Sequence, residues 1–156
     1  AQAIGVDAPQ FERHTVRALR KQAELPDTTD EVEWFRGWVE YVEPLLTRPT
    51  IVYDCPIWQA AMATQRNGYA DRFELYLSGI ELANCFAEEG DSEELRERFT
   101  QSASKRSAEG KSPHPTDEAL LSVTHQMPRT AGIALGLDRL IMALTGAKHI
   151  TDVQVE

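Results

Sequence analysis

The chain has 156 residues, of which 42% are apolar and 26% charged, and its 16 Lys and Arg against 25 Asp and Glu give a net charge of −9. This length predicts a single domain with one sizeable core, and the acidic balance excludes a general electrostatic attraction to nucleic acid. No apolar run approaches the length of a membrane span, and Cys55 and Cys85 lack any metal-binding spacing, so we expect a cytoplasmic protein with reduced thiols.

The first third of the chain is predicted to form two packing helices without chemistry. Apolar residues at helical spacing predict the first helix between Pro9 and Leu25. The pattern Thr28-x-x-Glu31 is typical of a capping box that opens the second helix. The second helix is expected to bury a stripe, widened by two tryptophans, that consists of Val32, Trp34, Phe35, Trp38, Val39, Val42 and Leu46.

Strand signals follow in the middle of the chain. The β-branched and aromatic run from Thr50 to Cys55 predicts a strand that ends at Pro56. Apolar and polar residues then alternate over residues 72–77, Ser78-Gly79 can form a two-residue turn, and a second strand extends from Ile80 to Glu89. These two segments predict a β-hairpin.

The hairpin carries two glutamates whose spacing is informative. A tight turn would pair Tyr76 with Glu81. Glu74 would then face Ala83 and lie diagonally from Glu81 on the same face, ~7–8 Å away at Cα. Two carboxylates at that distance can share a Mg²⁺ ion, which takes one or two carboxylates plus substrate phosphates. The spacing alone favours a solvated face on which the glutamates pair with Arg72 or with nothing, because charged residues commonly alternate on exposed strands.

The segment between the hairpin and the last strand is predicted to be helical. Asp91-x-x-Glu94 caps a long polar helix that extends to about Ala108, and a short helix begins at Thr116 and ends at Met127-Pro128. The tail from His149 resembles the start of a further strand. Hairpin, helices and another strand without β-α-β alternation predict an α+β fold with an antiparallel sheet flanked by helices.

A glycine-punctuated segment, Thr130 to Leu144, is the most specific pattern in the chain. Gly132, Ala134 and Gly136 alternate along one strand face and leave it flat enough for a planar ligand. Arg139 follows at the strand-to-helix corner, where a guanidinium can stack on an aromatic ring and pair with a phosphate. On its own, the Gly-x-Ala-x-Gly pattern is more typical of tight strand–helix packing beside a surface arginine.

Residues 130–144 resemble motif 3 of the class II aminoacyl-tRNA synthetases, Gly-x-Gly-x-Gly-x-Asp/Glu-Arg, with Ala134 at the middle position. Two earlier blocks, Arg-Phe-Glu-Leu-Tyr at 72–76 and Gly-Ile-Glu-Leu-Ala-Asn-Cys-Phe-Ala-Glu at 79–88, resemble the lysyl-tRNA synthetases and their short paralogue. That paralogue attaches β-lysine to a lysine of elongation factor P. The resemblance covers about residues 50–156 and implies part of a class II catalytic domain.

The resemblance divides the candidate site residues into two sets. Those for ATP and its Mg²⁺ would be Glu74, Glu81, Gly136 and Arg139. Those for the amino-acid substrate would be Asn84, Phe86, Glu88, Gly132 and Ala134. Within the first set, Glu74 and Glu81 would hold the metal, and Glu81 and Arg139 would be the catalytic residues. Within the second, Glu88 would meet the substrate's side-chain ammonium, because a buried carboxylate selects a lysine-like cation.

Two positions bear on whether these residues can share one site. Strict alternation along the second strand of the hairpin puts Glu81 on the face opposite Asn84, Phe86 and Glu88. All of them reach one site only if the strand is bulged or kinked between Glu81 and Asn84. The family usually has Gly at the position of Cys85, so a side chain there bears on how closely the backbone approaches the substrate.

Motif 1, which builds the dimer interface in this family, and motif 2, whose arginine binds the α-phosphate, are not found in residues 1–156. We therefore expect the C-terminal portion of a single catalytic domain, inactive alone, whose parent is a homodimer. The resemblance implies ATP-dependent activation of lysine or β-lysine to an aminoacyl-adenylate and transfer to a lysine of elongation factor P. This acceptor is favoured by Ala134, by the sequence Gly-Ile-Glu-Leu-Ala-Asn at 79–84 and by the basic segment Lys105 to Pro115. Charging of tRNA(Lys), and a synthetase-like binding module without catalysis, are the alternatives.

Overall fold

A six-stranded mixed sheet forms the centre of the structure, a computed structural model that describes residues 10–154. The strands are β1 (Glu12–Thr15), β2 (Thr50–Pro56), β3 (Gln65–Arg66), β4 (Tyr69–Leu77), β5 (Ile80–Ala87) and β6 (Ala131–Leu135). The helices are α1 (Val16–Gln22), α2 (Glu31–Gly37), α3 (Ser92–Ala108), α4 (Glu118–Val123) and α5 (Leu137–Thr145). The strand order is β1-β2-β4-β5-β6, with β3 beside β4. The predicted α+β class is confirmed, but the sheet is not wholly antiparallel because β1 and β2 are parallel.

The prediction of one helix from Pro9 to Leu25 is wrong in its first part, and Pro9 itself lies outside the described residues. Residues 12–15 form strand β1, which pairs with Thr50–Tyr53. Helix α1 begins only after Thr15, whose hydroxyl accepts a hydrogen bond from the backbone N–H of Ala18 at 3.1 Å. The helical spacing did not reveal this strand because its partner lies far along the chain.

The second predicted helix exists, but its start and its buried stripe differ from the prediction. Its N-cap is Asp30, which accepts from the Glu33 N–H at 3.0 Å, and not Thr28. After Gly37 the chain continues as a π-helical turn, Trp38–Val42, and a 3₁₀ turn, Glu43–Leu45. Trp34, Trp38, Val42 and Leu46 are buried, whereas Val32, Phe35 and Val39 are 70%, 48% and 56% exposed. The two tryptophans stack with centroids 5.3 Å apart, and their larger area decides which face turns inward.

The core lies between the N-terminal helical elements, α1 and the segment from α2 to Leu46, and one face of β2 and β4. Its buried members include Val16, Leu19, Trp34, Trp38, Val42, Val52 and Tyr76. The same face continues across β4, β5 and β6, and there it carries the candidate site residues. The N-terminal helices therefore support the sheet directly beside the site.

The elements after the hairpin largely follow their sequence signals. Asp91 caps α3 by accepting from the N–H groups of Glu93 and Glu94, as predicted. Helix α5 ends at Gly146, whose φ of 76° is the left-handed conformation that glycine supplies. Helix α4 begins at Glu118 behind an Asp117 cap, two residues later than predicted. The predicted strand from His149 is wrong over its described part, because Ile150–Asp152 forms a 3₁₀ turn.

Candidate active site

A β-bulge in β5 brings the candidate residues onto one face of the sheet. Tyr76 pairs with Glu81, as predicted, but the next pair along is Leu75 with Ala83, so Leu82 is the extra residue. The predicted pairing of Glu74 with Ala83 is therefore wrong, and Glu74 pairs with Asn84. The expected bulge between Glu81 and Asn84 is confirmed. Because the bulge reverses the alternation, Glu74, Glu81 and Asn84 all project from the same face.

Glu74 is held from both sides. The Arg72 guanidinium donates to its Oε1, and the Tyr76 hydroxyl donates to its Oε2 at 3.0 Å. Burial raises the pKa of Glu74 above its usual value; the Arg72 charge opposes this shift, and the Glu81 charge adds to it. Glu74 thus pairs with Arg72, as one of the two interpretations of the spacing expected. This ion pair does not remove the Glu74 carboxylate from the face that carries the other candidate residues.

Glu81 lies beside the strand-to-helix corner that follows β6. The Arg139 guanidinium donates to the Glu81 backbone carbonyl at 3.0 Å and to its Oε2 at 3.3 Å. The Gly136 N–H donates to the Leu82 carbonyl at 2.8 Å and so joins the bulge to the start of α5. Two of the residues predicted for ATP, Glu81 and Arg139, are therefore in direct contact.

The residues predicted for the amino-acid substrate form a flat patch next to these carboxylates. Asn84 pairs with Ala134 and Phe86 pairs with Gly132 across β5 and β6, so all four lie on one face. Glu88 follows at the end of β5, and its Oε1 lies 2.5 Å from the point where a Cβ on Gly132 would sit. The structure thus brings the substrate set together, and Gly132 leaves room for the Glu88 carboxylate.

Cys85 does not face this patch. It pairs with Phe73 and Ile133 on the opposite face, where it lines a separate cavity of about 410 Å³ with Ile51 and Tyr53. Its side chain therefore leaves the site face clear, although the family usually has Gly at this position.

Three residues beside the site were not predicted to act there. Trp38 donates through its indole Nε1 to the Tyr76 hydroxyl at 3.1 Å. Glu43 is a third nearby carboxylate: burial raises its pKa, and the charges of Glu81 and Glu74 raise it further. Alternation along β4 already put Tyr76 on the face of Glu74, but local sequence carried no sign of Trp38 or Glu43, which come from the preceding helical segment.

The donor set fits a magnesium ion that also binds phosphate. Two carboxylates, Glu74 and Glu81, project from one face at diagonal positions of β4 and β5. Within residues 10–154, no three His, Cys, Asp or Glu side chains are grouped so that protein ligands alone could hold a metal ion. Mg²⁺ usually keeps several water or phosphate ligands beside one or two carboxylates, so a two-carboxylate site suits it better than a closed protein cage.

Comparison with known proteins shows the family. Residues 10–155 match the family described as class II tRNA synthetases (D, K and N). An elongation factor P–(R)-β-lysine ligase from Edwardsiella ictaluri is 45% identical over 161 residues, which covers 96% of this chain and 50% of that protein. A protein described as a homologue of this ligase, from Aquifex aeolicus, is 37% identical over 150 residues, 94% of this chain and 49% of its own length.

A third relative, the elongation factor P–(R)-β-lysine ligase of Pectobacterium carotovorum, is 45% identical over 118 residues, 72% of this chain and 36% of its own length. The chain thus spans about half, or less, of the length of the curated relatives it matches. Among the helices that the structure describes, none is long and apolar enough to cross a membrane. The match over nearly the whole chain shows that it belongs to the class II tRNA synthetase family.

Proposed function

We propose that the protein to which this chain belongs activates lysine or β-lysine with ATP and transfers the aminoacyl group to a lysine of elongation factor P. The observation that carries the proposal is the single face on which the bulge at Leu82 assembles both residue sets. The names of the relatives supply the acceptor.

ATP would bind at the end of the patch that carries Glu74, Glu81 and Arg139. Glu74 and Glu81 would hold Mg²⁺, which when bound neutralises charge on the phosphates. The Arg139 guanidinium is 51% exposed and bonded to Glu81, so it can turn toward adenine and the γ-phosphate without leaving a buried charge behind. This placement supports the roles implied by motif 3.

The amino acid would lie on the patch formed by β5 and β6. The buried Oδ1 of Asn84 finds no hydrogen-bond donor among the described residues, which suits an acceptor reserved for a substrate N–H group. Phe86 offers an apolar wall and is itself covered by Arg72, 5.0 Å from the ring centroid. Glu88 would pair with the side-chain ammonium. One acceptor, one apolar wall and one carboxylate match the chemistry of a lysine.

The reaction then needs no nucleophile from the protein. A substrate carboxylate oxygen attacks the α-phosphorus of ATP, and the bond from that phosphorus to pyrophosphate breaks. In the second step the acceptor's amine attacks the acyl carbon, the bond to AMP breaks, and the amine loses a proton. Positioning and charge neutralisation account for the catalysis.

This chain would contribute half of that site. We propose that it is the C-terminal portion of one catalytic domain, that the remaining motifs and the dimer interface lie elsewhere in the parent protein, and that the chain alone is inactive. We also propose that the parent works in the cytoplasm, with Cys55 and Cys85 reduced.

The test uses the complete gene product. ATP–pyrophosphate exchange with α-lysine and β-lysine measures activation, and labelled amino acid is then offered to elongation factor P and to tRNA(Lys). Label should enter elongation factor P, and an elongation factor P whose acceptor lysine is replaced serves as the control. Label in tRNA alone would instead support a lysyl-tRNA synthetase, and no exchange with either isomer would support a non-catalytic binding module.

A further inference from the structure

We propose that Tyr76 is a positioning residue that fixes the Glu74 carboxylate for a divalent cation, with Trp38 as its anchor in the core. The inference rests on the proposed function, because it concerns how one carboxylate of the ATP site is oriented. It assigns a role to two core residues, Tyr76 and Trp38, for which the family resemblance implied none.

The direction of each hydrogen bond follows from the chemistry of the groups. An indole N–H can only donate, so Trp38 Nε1 must give its proton to the Tyr76 oxygen, 3.1 Å away. The single hydroxyl proton of Tyr76 then points to Glu74 Oε2, 3.0 Å away. Tyr76 is 1% exposed, so water does not compete for either bond. The chain of donors therefore fixes the orientation of the Glu74 side chain through its Oε2.

Glu74 is restrained on its other oxygen as well. The Arg72 guanidinium donates to Oε1 and is itself held by the Gln59 carbonyl at 2.9 Å. An ionised carboxylate has about four lone-pair directions, so one bond to each oxygen still leaves directions for a metal ion. With both oxygens held, the carboxylate does not have to be ordered when the cation and nucleotide arrive.

The anchor is built into an irregular part of the helical segment. Trp38 begins the π-helical turn, is 4% exposed and stacks on Trp34 with planes 4° apart. Single π turns inside helices are frequent at functional sites. Here the turn packs an indole against the sheet at the point where its N–H reaches the Tyr76 hydroxyl. Packing in the core thereby determines the orientation of a ligand at the site.

The test is Tyr76→Phe in the complete gene product, which removes one oxygen atom and keeps the ring. The affinity for a non-hydrolysable ATP analogue is measured by calorimetry with Mg²⁺ and with EDTA. The dissociation constant in EDTA divided by the dissociation constant with Mg²⁺ measures what the cation contributes to binding. In Tyr76→Phe this ratio should fall about tenfold, which corresponds to about 1.4 kcal/mol, while the affinity in EDTA stays unchanged.

Three further variants make the result specific. Tyr41→Phe removes a hydroxyl from an exposed tyrosine of the same helical turn and should leave the ratio unchanged. Trp38→Phe keeps the Tyr76 hydroxyl but removes the indole N–H that donates to it, so it should lower the ratio less than Tyr76→Phe does. If Tyr76→Phe does not fold, Trp38→Phe tests the same hydrogen-bonded chain. In a Glu74→Gln background, Tyr76→Phe should have no further effect on the ratio.

The outcomes separate this inference from the proposed function. Wild-type protein that binds the analogue with Mg²⁺, together with a Tyr76→Phe variant of equal ratio, would overturn the positioning role alone. Wild-type protein that does not bind the analogue at all would overturn the proposed function and this role with it. A Tyr76→Phe variant that is only less stable, with an unchanged ratio, would show that the hydroxyl serves the core.

Discussion

Gly132→Ala is expected to damage recognition of the amino acid while sparing ATP. The added Cβ would lie 2.5 Å from Glu88 Oε1, whereas ordinary contacts of this kind begin at 3.4 Å. The carboxylate must therefore withdraw by about 0.9 Å, and it can, because it ends a flexible side chain. A misplacement of about 1 Å in a substrate-positioning group can cost on the order of 100-fold in rate. We expect kcat/KM for the lysine substrate to fall by about that factor.

The assay is ATP–pyrophosphate exchange in the complete gene product, with the lysine and ATP concentrations varied separately. Gly90→Ala is the matched control, since its Cβ would only meet the Thr124 carbonyl oxygen at 3.7 Å, an ordinary contact. In a Glu88→Ala background, Gly132→Ala should have little further effect, because the carboxylate it displaces is gone. Equal losses for lysine and ATP, or the same loss in that background, would refute the argument.

Three other predictions address the remaining site residues and the thiols. Glu81→Gln should greatly reduce exchange while circular dichroism shows an intact fold, because it removes a proposed Mg²⁺ ligand; full activity would remove Glu81 from the site. Ala134→Gly should improve use of α-lysine relative to β-lysine, because the Ala134 methyl group would crowd the α-amino group of α-lysine. One methyl group in a pocket is worth ~1–3 kcal/mol of discrimination. An unchanged ratio of the activities with the two isomers would contradict this role. A thiol reagent at pH 8 should modify Cys85 and not Cys55, because Cys55 is 1% exposed and burial raises the pKa of its thiol to about 12. Peptide mapping identifies the modified residue, and modification of Cys55 in preference to Cys85 would contradict this packing.

Local signals in the sequence determined the elements whose stability is local. The alternation over residues 72–77 and the Ser78-Gly79 turn, both of whose residues have positive φ, define the hairpin. Asp91 marks the start of α3 where it was expected, and Gly146 ends α5 in the left-handed conformation that glycine adopts readily. The bulge was expected only because the family resemblance required Glu81 and Asn84 to reach one site, which strict alternation does not allow.

Tertiary structure decided the features that depend on distant parts of the chain. Helical spacing could not show that residues 12–15 pair with β2, nor that two tryptophans, rather than Val32 and Phe35, turn toward the sheet. The orientation of Glu74 depends on Trp38, which approaches it only when the helical segment packs on β4. A period in the sequence specifies how a segment folds on itself, whereas which face it buries and which side chain it meets depend on the free energy of contacts with segments far away in the chain.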